Sequence, residues 1–423
     1  MGGANMTTPI PSTVGGATVD AVTHEVTTVI PAVLSTDGNE SECMLTSDAI
    51  DSTTFGVDLP PDEDKNSSAS HNKTDGHKTH EPEWEVMPLK WTWYIILQLI
   101  SGILGTLGNL LVAVIIFQRR SSARSTDILI GSLAIADFLT SIFIIPTPRP
   151  TRVPNSWRGM LYCLILFPDI PLWTSVTASS YILMAISIDR FIAVVYPLQF
   201  GRIVTNRRVK FAIVFIWLAA FLSLSFSFFI IKVDESSHQC VLTISTAAGY
   251  AAMGYFWFTI RIIVPVLTML ITQSIIAVKL HIQSSTFKAN ETSAATAFHI
   301  VARNRVIGMM FLVIVVYIVC WLPNQVAFLG FIVGFVPPSY IGSPLHHVFT
   351  VLGFLNSCAN PFIYLTRNPQ FRIAFREFLT CAANTDVSVF DWKVSPANTK
   401  LTTAESRKTS NTRDRHETIP NKA

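Results

Sequence analysis

The sequence predicts an all-α membrane protein: a bundle of seven transmembrane helices followed by one short helix at the membrane interface. Half of the residues are hydrophobic and only 14% are charged. The mean hydropathy of +0.43 lies beyond what a soluble domain of this length shows. Seven mostly apolar stretches of bilayer-spanning length, bounded by charged or Pro/Gly-rich segments, run at about 91–118, 127–148, 161–195, 209–231, 246–280, 303–335 and 343–366. In lipid every backbone amide must be satisfied within its own segment, and these runs are too long and too uniformly apolar for barrel strands, so each is a helix.

The basic residues orient the bundle. One set of connections carries Arg119, Arg120, Arg124, then Arg202, Arg207, Arg208, Lys210, then Lys279, Lys288, Arg303, Arg305, and finally Arg367, Arg372, Arg376. The opposite set holds only Lys90, Arg149, Arg152, Arg158 and Lys232. The richer set marks the cytoplasmic side, which places the N-terminus outside, the C-terminus inside and the chain in the plasma membrane as a multi-pass protein. The expected organisation is an outer tail at 1–90, a membrane domain at 91–381 that includes the interfacial helix, and an inner tail at 382–423. Residues 1–90 are rich in Ser, Thr, Asp, Glu and Pro, too polar to bury a core. They carry the sequons beginning at Asn5, Asn39, Asn66 and Asn72, usable as glycosylation sites only on the luminal side. With no cleavable leader visible at Met1, the first span is expected to serve as the translocation signal.

Cysteine placement gives one pairing. Cys163 opens the third span and Cys240 lies in the outer loop before the fifth, both on the oxidising side, so a disulfide between them would pin that loop across the bundle. Cys320 and Cys358 fall inside spans as packed thiols, and Cys43 has no obvious partner. Cys381 follows the amphipathic run Phe371–Leu379, a palmitoylation position at the inner interface.

From about residue 91 to 381 the chain resembles a rhodopsin-like (class A) G-protein-coupled receptor. The resemblance rests on an ordered set of motifs: Gly108-Asn109 in span one, Leu133-Ala134-Ile135-Ala136-Asp137 in span two, Asp189-Arg190-Phe191 closing span three, and Trp217 in span four. Pro265 follows in span five, Cys320-Trp321-Leu322-Pro323 in span six, and Asn360-Pro361-Phe362-Ile363-Tyr364 in span seven. The segments around Trp321 and Asn360 are similar to those of neuropeptide receptors of the RFamide, galanin and allatostatin type.

The resemblance implies a role for each motif. Asp137, Ser179, Asn356 and Asn360 are small polar groups at mid-membrane depth, where an acid needs a partner. An allosteric sodium ion is implied there, with a neutral hydrogen-bonded cluster as the alternative; no other cofactor is expected. Pro265, Pro323 and Pro361 each remove a helical hydrogen bond and permit kinks. With Ser180, Tyr317 and Trp321, the first two of these prolines form the implied activation core. Relatives usually place a phenylalanine and a branched aliphatic residue where Tyr317 and Ser180 stand, so a hydrogen bond is expected to replace a steric contact. Asp189, Arg190, Asn360, Pro361 and Tyr364 form the implied G-protein switch, in which Asp189 holds Arg190 at rest. Arg303 stands where many relatives carry an acid, and Gln273 where an inner tyrosine is usual. A softer latch, or Asp189 acting alone, is expected.

For the ligand, Leu172 stands where amine receptors place their amine-binding acid and Phe354 where opsins keep the retinal lysine, which argues against both chemistries. The expected pocket comprises Leu172, Trp173, Val176, Trp257, Arg261, Trp321, Asn324, Gln325, Phe328, His346 and Thr350. Aromatic walls with a few amides suit a peptide, and a non-peptide small molecule is the alternative. Two partners are open to Arg261: Asp169 of span three, or an acidic or carbonyl group of the ligand. The 27 residues from Cys163 to Arg190 form a spacing slightly longer than usual, so the outer end of span three is remodelled around Pro168-Asp169-Ile170-Pro171.

The inner tail gathers Thr402, Thr403, Ser406, Thr409, Ser410 and Thr412 beside Arg407, Lys408 and Arg413, phosphosites for a receptor kinase and arrestin if they are more than disordered filler. Heterotrimeric G protein and the lipid bilayer complete the expected partners, and nucleic acid is not among them. A transporter would show internal repeats or a continuous polar path, and an enzyme a nucleophile with its base or a metal cluster. Neither is present in the sequence.

Overall fold

The computed structural model describes residues 84–121, 123–244, 246–289, 294–380 and 388–390, with the side chains of 284–302 outside that description. Asn5, Asn39, Asn66, Asn72, Cys43, Cys381 and the Ser/Thr cluster of 402–412 lie outside the described residues. Among the described residues, seven helices are long and apolar enough to cross a membrane: Trp93–Gln118, Ser125–Phe143, Trp157–Val195, Asn206–Ile230, Ala247–Gln283, Arg303–Ile332 and Pro344–Arg367. The chain is a multi-pass membrane protein with an all-α bundle. Most helix ends fall within four residues of the sequence expectation; the second span ends earlier, at Phe143.

Span three is the centre of the bundle, packed against spans two, four, five and six, while span seven closes the ring against spans one, two and six. Close packing of span one needs glycine: a Cβ on Gly108 would stand 2.9 Å from Pro361 Cγ of span seven, and one on Gly105 would strike the Ser141 hydroxyl of span two at 2.2 Å. Pro323 and Pro361 lie inside continuous helices.

Two spans are irregular in their first halves. In span three a π turn covers Tyr162–Leu166, and the main helix restarts at Ile170 after Asp169, whose backbone is left-handed with φ of 52°. The longer spacing before Arg190 is absorbed here: the π turn takes up extra length, and Pro171 in the first turn of the restarted helix fits because its missing N–H has no helical acceptor. In span five a π turn covers Thr259–Ile263, immediately before Pro265.

The outer loops are tied to this frame. A hairpin pairs Ile231–Val233 with Cys240–Leu242, and the Cys163–Cys240 disulfide, with Cα atoms 5.4 Å apart, fastens it to span three. The hairpin turn is closed on Asp234, which accepts from the hydroxyls of Ser236 and Ser237 and from the Ser237 N–H. Those donors favour the ionised form and hold this carboxyl down at about 2. After span seven, Asn368 caps the helix Pro369–Leu379 by accepting from the N–H groups of Gln370 and Phe371. Glu377 of that helix pairs with Arg119 at the end of span one. The amphipathic run expected from Phe371 thus starts two residues earlier.

Candidate ligand, core and switch sites

At the inner end of span three, Asp189 and Arg190 are buried and bonded to each other, with Arg190 Nε donating to the Asp189 carboxylate at 2.9 Å. The same carboxylate accepts from the hydroxyls of Ser125 and Thr126 at 3.2 Å each, and Arg190 also donates to Thr126. Span two, not span six, therefore completes the clamp. Arg303 turns away and donates to Gln283 at 2.8 Å. Gln273 joins span five to span three by donating to Ser187 at 3.0 Å, and Ser187 in turn bonds Thr272 at 2.6 Å.

In the middle of the bundle, Asp137 is fully buried and accepts from Ser179 at 2.8 Å and from the Asn360 amide at 2.7 Å. Asn109 crosses from span one to the Ser357 carbonyl at 2.8 Å. The amide oxygens of Asn356 and Asn360 are buried with no hydrogen-bond partner among the described residues. Three of the four expected residues, Asp137, Ser179 and Asn360, are thus directly joined. Above them, Trp321 lies 6.1 Å from Trp173, and its ring packs where a Cβ on Gly353 would come within 3.2 Å. The Tyr317 hydroxyl donates to the Arg261 carbonyl at 2.7 Å, and Ser180 donates to the Val176 carbonyl of its own helix at 2.9 Å. The π turn before Pro265 offers Tyr317 a backbone acceptor that side-chain patterns do not show.

The outer half holds two chambers sharing His346, Thr350 and Phe354 of span seven as a common wall. One, of about 630 Å³ including its open mouth, is lined by Trp173, Arg261, Trp321, Asn324, Gln325 and Phe328, with Tyr340 and Ile341 of the last outer loop. The other is lined by Tyr94, Gln98, Arg149, Asp169 and Leu172 among others. Eight of the expected pocket residues meet in the first chamber. Three do not. Leu172 faces the second chamber, while Val176 and Trp257 are buried in packing and line neither. Trp257 packs against Phe226 at 5.4 Å and offers its ring to Arg261 at 5.3 Å, so it backs the chamber's cation without lining the space.

Of the two partners open to Arg261, Asp169 is already taken. Arg149 holds Asp169 through a single nitrogen, Nη2, which donates to both carboxylate oxygens at 2.8 and 3.0 Å. Arg261 is 5% exposed, lies over Trp173 at 4.1 Å and near Trp257 at 5.3 Å, and its Nη2 has no hydrogen-bond partner among the described residues. Tyr94, Gln98 and Arg149 escaped sequence reasoning. The one available signal for Arg149 was a basic residue on the poorly charged side, three positions after Pro146.

Comparison with known proteins agrees with this architecture. The allatostatin-A receptor of Bombyx mori is 28% identical over 66% of this chain and 77% of its own length. The galanin receptor 2a of Danio rerio is 27% identical over 72% of this chain and 84% of its own. The alpha-1A adrenergic receptor of Oryzias latipes is 28% identical over 67% of each. The profile of the 7 transmembrane receptor (rhodopsin family) matches residues 108–364, more than half of the chain. With the clamp at Asp189 and Arg190, the polar core at Asp137 and the lining of the first chamber all falling within that match, the chain belongs to the rhodopsin family of seven-transmembrane receptors.

Proposed function

We propose that the protein is a plasma-membrane receptor that binds an extracellular peptide in the chamber above Trp321 and activates a heterotrimeric G protein at its inner face. The carrying observation is the chamber itself: Trp173, Trp321 and Phe328 supply aromatic walls, Asn324 and Gln325 supply amides, and Trp321 forms the floor next to the polar core. Similarity to receptors named for galanin and allatostatin-A supports the peptide reading. The adrenergic relative raises an amine as the second reading. Against it, Leu172 offers no carboxylate to an ammonium, and Asp169, one turn above, is already paired with Arg149.

Binding at the chamber would shift Trp321 and the Tyr317 contact, letting spans five and six pivot about Pro265 and Pro323. At the inner end, release of Arg190 from Asp189 and Thr126, with Tyr364 moving alongside, would open the groove for a G-protein helix. Sodium fits the core: Asp137, Ser179, Asn356 and Asn360 would hold it, and the unpartnered amide oxygens of the two asparagines suit a hard cation. When bound, the ion supplies positive charge that balances the buried carboxylate. The reading includes an outer N-terminus glycosylated at Asn5, Asn39, Asn66 and Asn72. It also includes an inner C-terminus palmitoylated at Cys381 and phosphorylated for arrestin by a receptor kinase.

Cells expressing the receptor with a promiscuous G protein test the function directly. A response to members of a synthetic neuropeptide library, and none to a panel of biogenic amines, is the expected result; the reverse pattern favours the amine reading.

A further inference from the structure

Arg261 poses a problem that the fold does not solve internally. A guanidinium taken out of water needs an acceptor, and this one is 95% removed from solvent on a membrane-spanning helix. The acids at comparable depth are occupied: Asp169 by Arg149, and Asp137 by Ser179 and Asn360. Two indole faces, Trp173 and Trp257, hold the cation from the side, which fixes its plane and leaves Nη2 without a partner among the described residues. The side chain lines the first chamber beside Trp321. Arg149 and Asp169 neutralise each other next door, so the first chamber keeps an uncompensated positive charge at its base.

The geometry points to a carboxylate on the ligand as the partner of Arg261, received edge-on by the guanidinium between Trp173 and the floor at Trp321. Arginine matches a carboxylate with two parallel N–H donors, which an amide or an alcohol does not reproduce. The inference deepens the peptide reading and rests on the same chamber. A peptide brings a carboxylate either at its C-terminus or on an acidic side chain.

The probe is chemically minimal. Purified full-length receptor is melted with 4-phenylbutyrate, its primary amide and 4-phenylbutylamine at matched millimolar concentration. The carboxylate is expected to raise the melting temperature by about 2 °C or more, and the amide and amine by less than half as much. The shift should vanish in Arg261→Met and survive in part in Arg261→Lys. An equal shift with the amide, no shift with the carboxylate, or persistence in Arg261→Met overturns the inference, and the wild-type comparison stands even if a variant fails to fold. Carboxylate selectivity without any response to peptides would keep the anion site and sink the peptide reading. Free-acid and amidated forms of each library peptide separate a terminal carboxylate from an acidic side chain.

A second observation, at the opposite end of the bundle, stands independently. Residues 388–390 of the inner tail return to the bundle: Phe390 is fully buried, 5.2 Å from Tyr364 and 5.8 Å from Phe371 between ring centroids. Its N–H donates to Asp127 at 2.9 Å, the Ser388 hydroxyl bonds the same carboxylate, and Asn368 donates to the Val389 carbonyl at 3.2 Å. Asp127 lies in the first turn of span two, next to Thr126 of the Arg190 clamp. We infer that Ser388-Val389-Phe390 is a built-in brake, holding Tyr364 in its buried position by filling the space beside it. The full-length receptor with Phe390→Ala is expected to show basal G-protein activation at least 2-fold above wild type at equal surface expression. Phe390→Leu should lie between, and a chain ending at residue 387 should match Phe390→Ala. Unchanged basal activation in both Phe390→Ala and the shortened chain overturns it.

Discussion

The two most deeply buried arginines among the described residues are accommodated in opposite ways. Arg190 at the inner end is 1% exposed and meets a carboxylate and a hydroxyl contributed by spans two and three. Arg261 in the outer half is 5% exposed and meets two indole faces but no carboxylate among the described residues. The inner cation has its counter-charge supplied by the protein at rest, so any partner must displace what is already there. The outer cation is held in position by ring faces without a counter-charge among the described residues, so a partner adds to what is there. A latch and a receptor site use the same side chain, and the difference lies in whether the fold supplies the counter-charge.

The largest test removes that counter-charge. Asp189→Ala leaves Arg190 buried without its carboxylate and should destabilise the resting receptor by about 3–5 kcal/mol, seen as a lower melting temperature together with raised basal signalling. If stability and basal signalling both stay at wild type, the inner half of the comparison fails. Next comes Cys240→Ser, which frees the hairpin from span three and should cost about 2–5 kcal/mol. Surface expression should fall, and non-reduced peptide mapping of the wild type should show Cys163 joined to Cys240. Recovery of two free thiols there would remove the anchor from the outer framework. Asp137→Asn lies between the two arginines and removes the central charge. Sodium should then cease to weaken agonist binding, a coupling of about 1–3 kcal/mol in comparable systems, and an undiminished sodium effect would speak against the site. The smallest change, Tyr317→Phe, deletes the bond to the Arg261 carbonyl at a cost of about 1 kcal/mol. It links the two halves through span six, so a shift in basal signalling at equal expression is expected; identical dose-response curves would show the link to be idle.

The spans, the disulfide, the joined core of Asp137, Ser179 and Asn360 and the Asp189–Arg190 pair were legible, because each rests on a strong local signal: bilayer-length apolar runs, cysteines on one side, and acids in apolar surroundings; the hydroxyls of Ser125 and Thr126 that complete the clamp were not. The remodelling of span three was visible only as a spacing. Its form, a π turn followed by Asp169 in a left-handed conformation, depends on how Pro168 and Pro171 resolve a conflict that spacing cannot describe. The partner of Asp169 was missed because Arg149 sits on a loop whose path is set by the hairpin, through the Val153 N–H bond to the His238 carbonyl at 2.8 Å. Val176 and Trp257 were assigned to the pocket from the receptor resemblance, and both are buried in packing outside the two chambers, which the sequence alone does not show. Phe390 lay in a tail whose polarity gave no reason to expect a buried ring.

The paired π turns at Tyr162–Leu166 and Thr259–Ile263 also bear on how such a molecule can diversify. A π turn takes up one added residue within a single coil; in span five the helix runs on directly at Val264, while in span three it restarts at Ile170. Additions at these turns can rotate the outer ends of spans three and five, and thereby exchange the side chains offered to a ligand. The lower parts, carrying Asp189, Arg190 and Gln273, keep their phase. Recognition and transmission can therefore drift apart in sequence at different speeds while remaining on the same two rods.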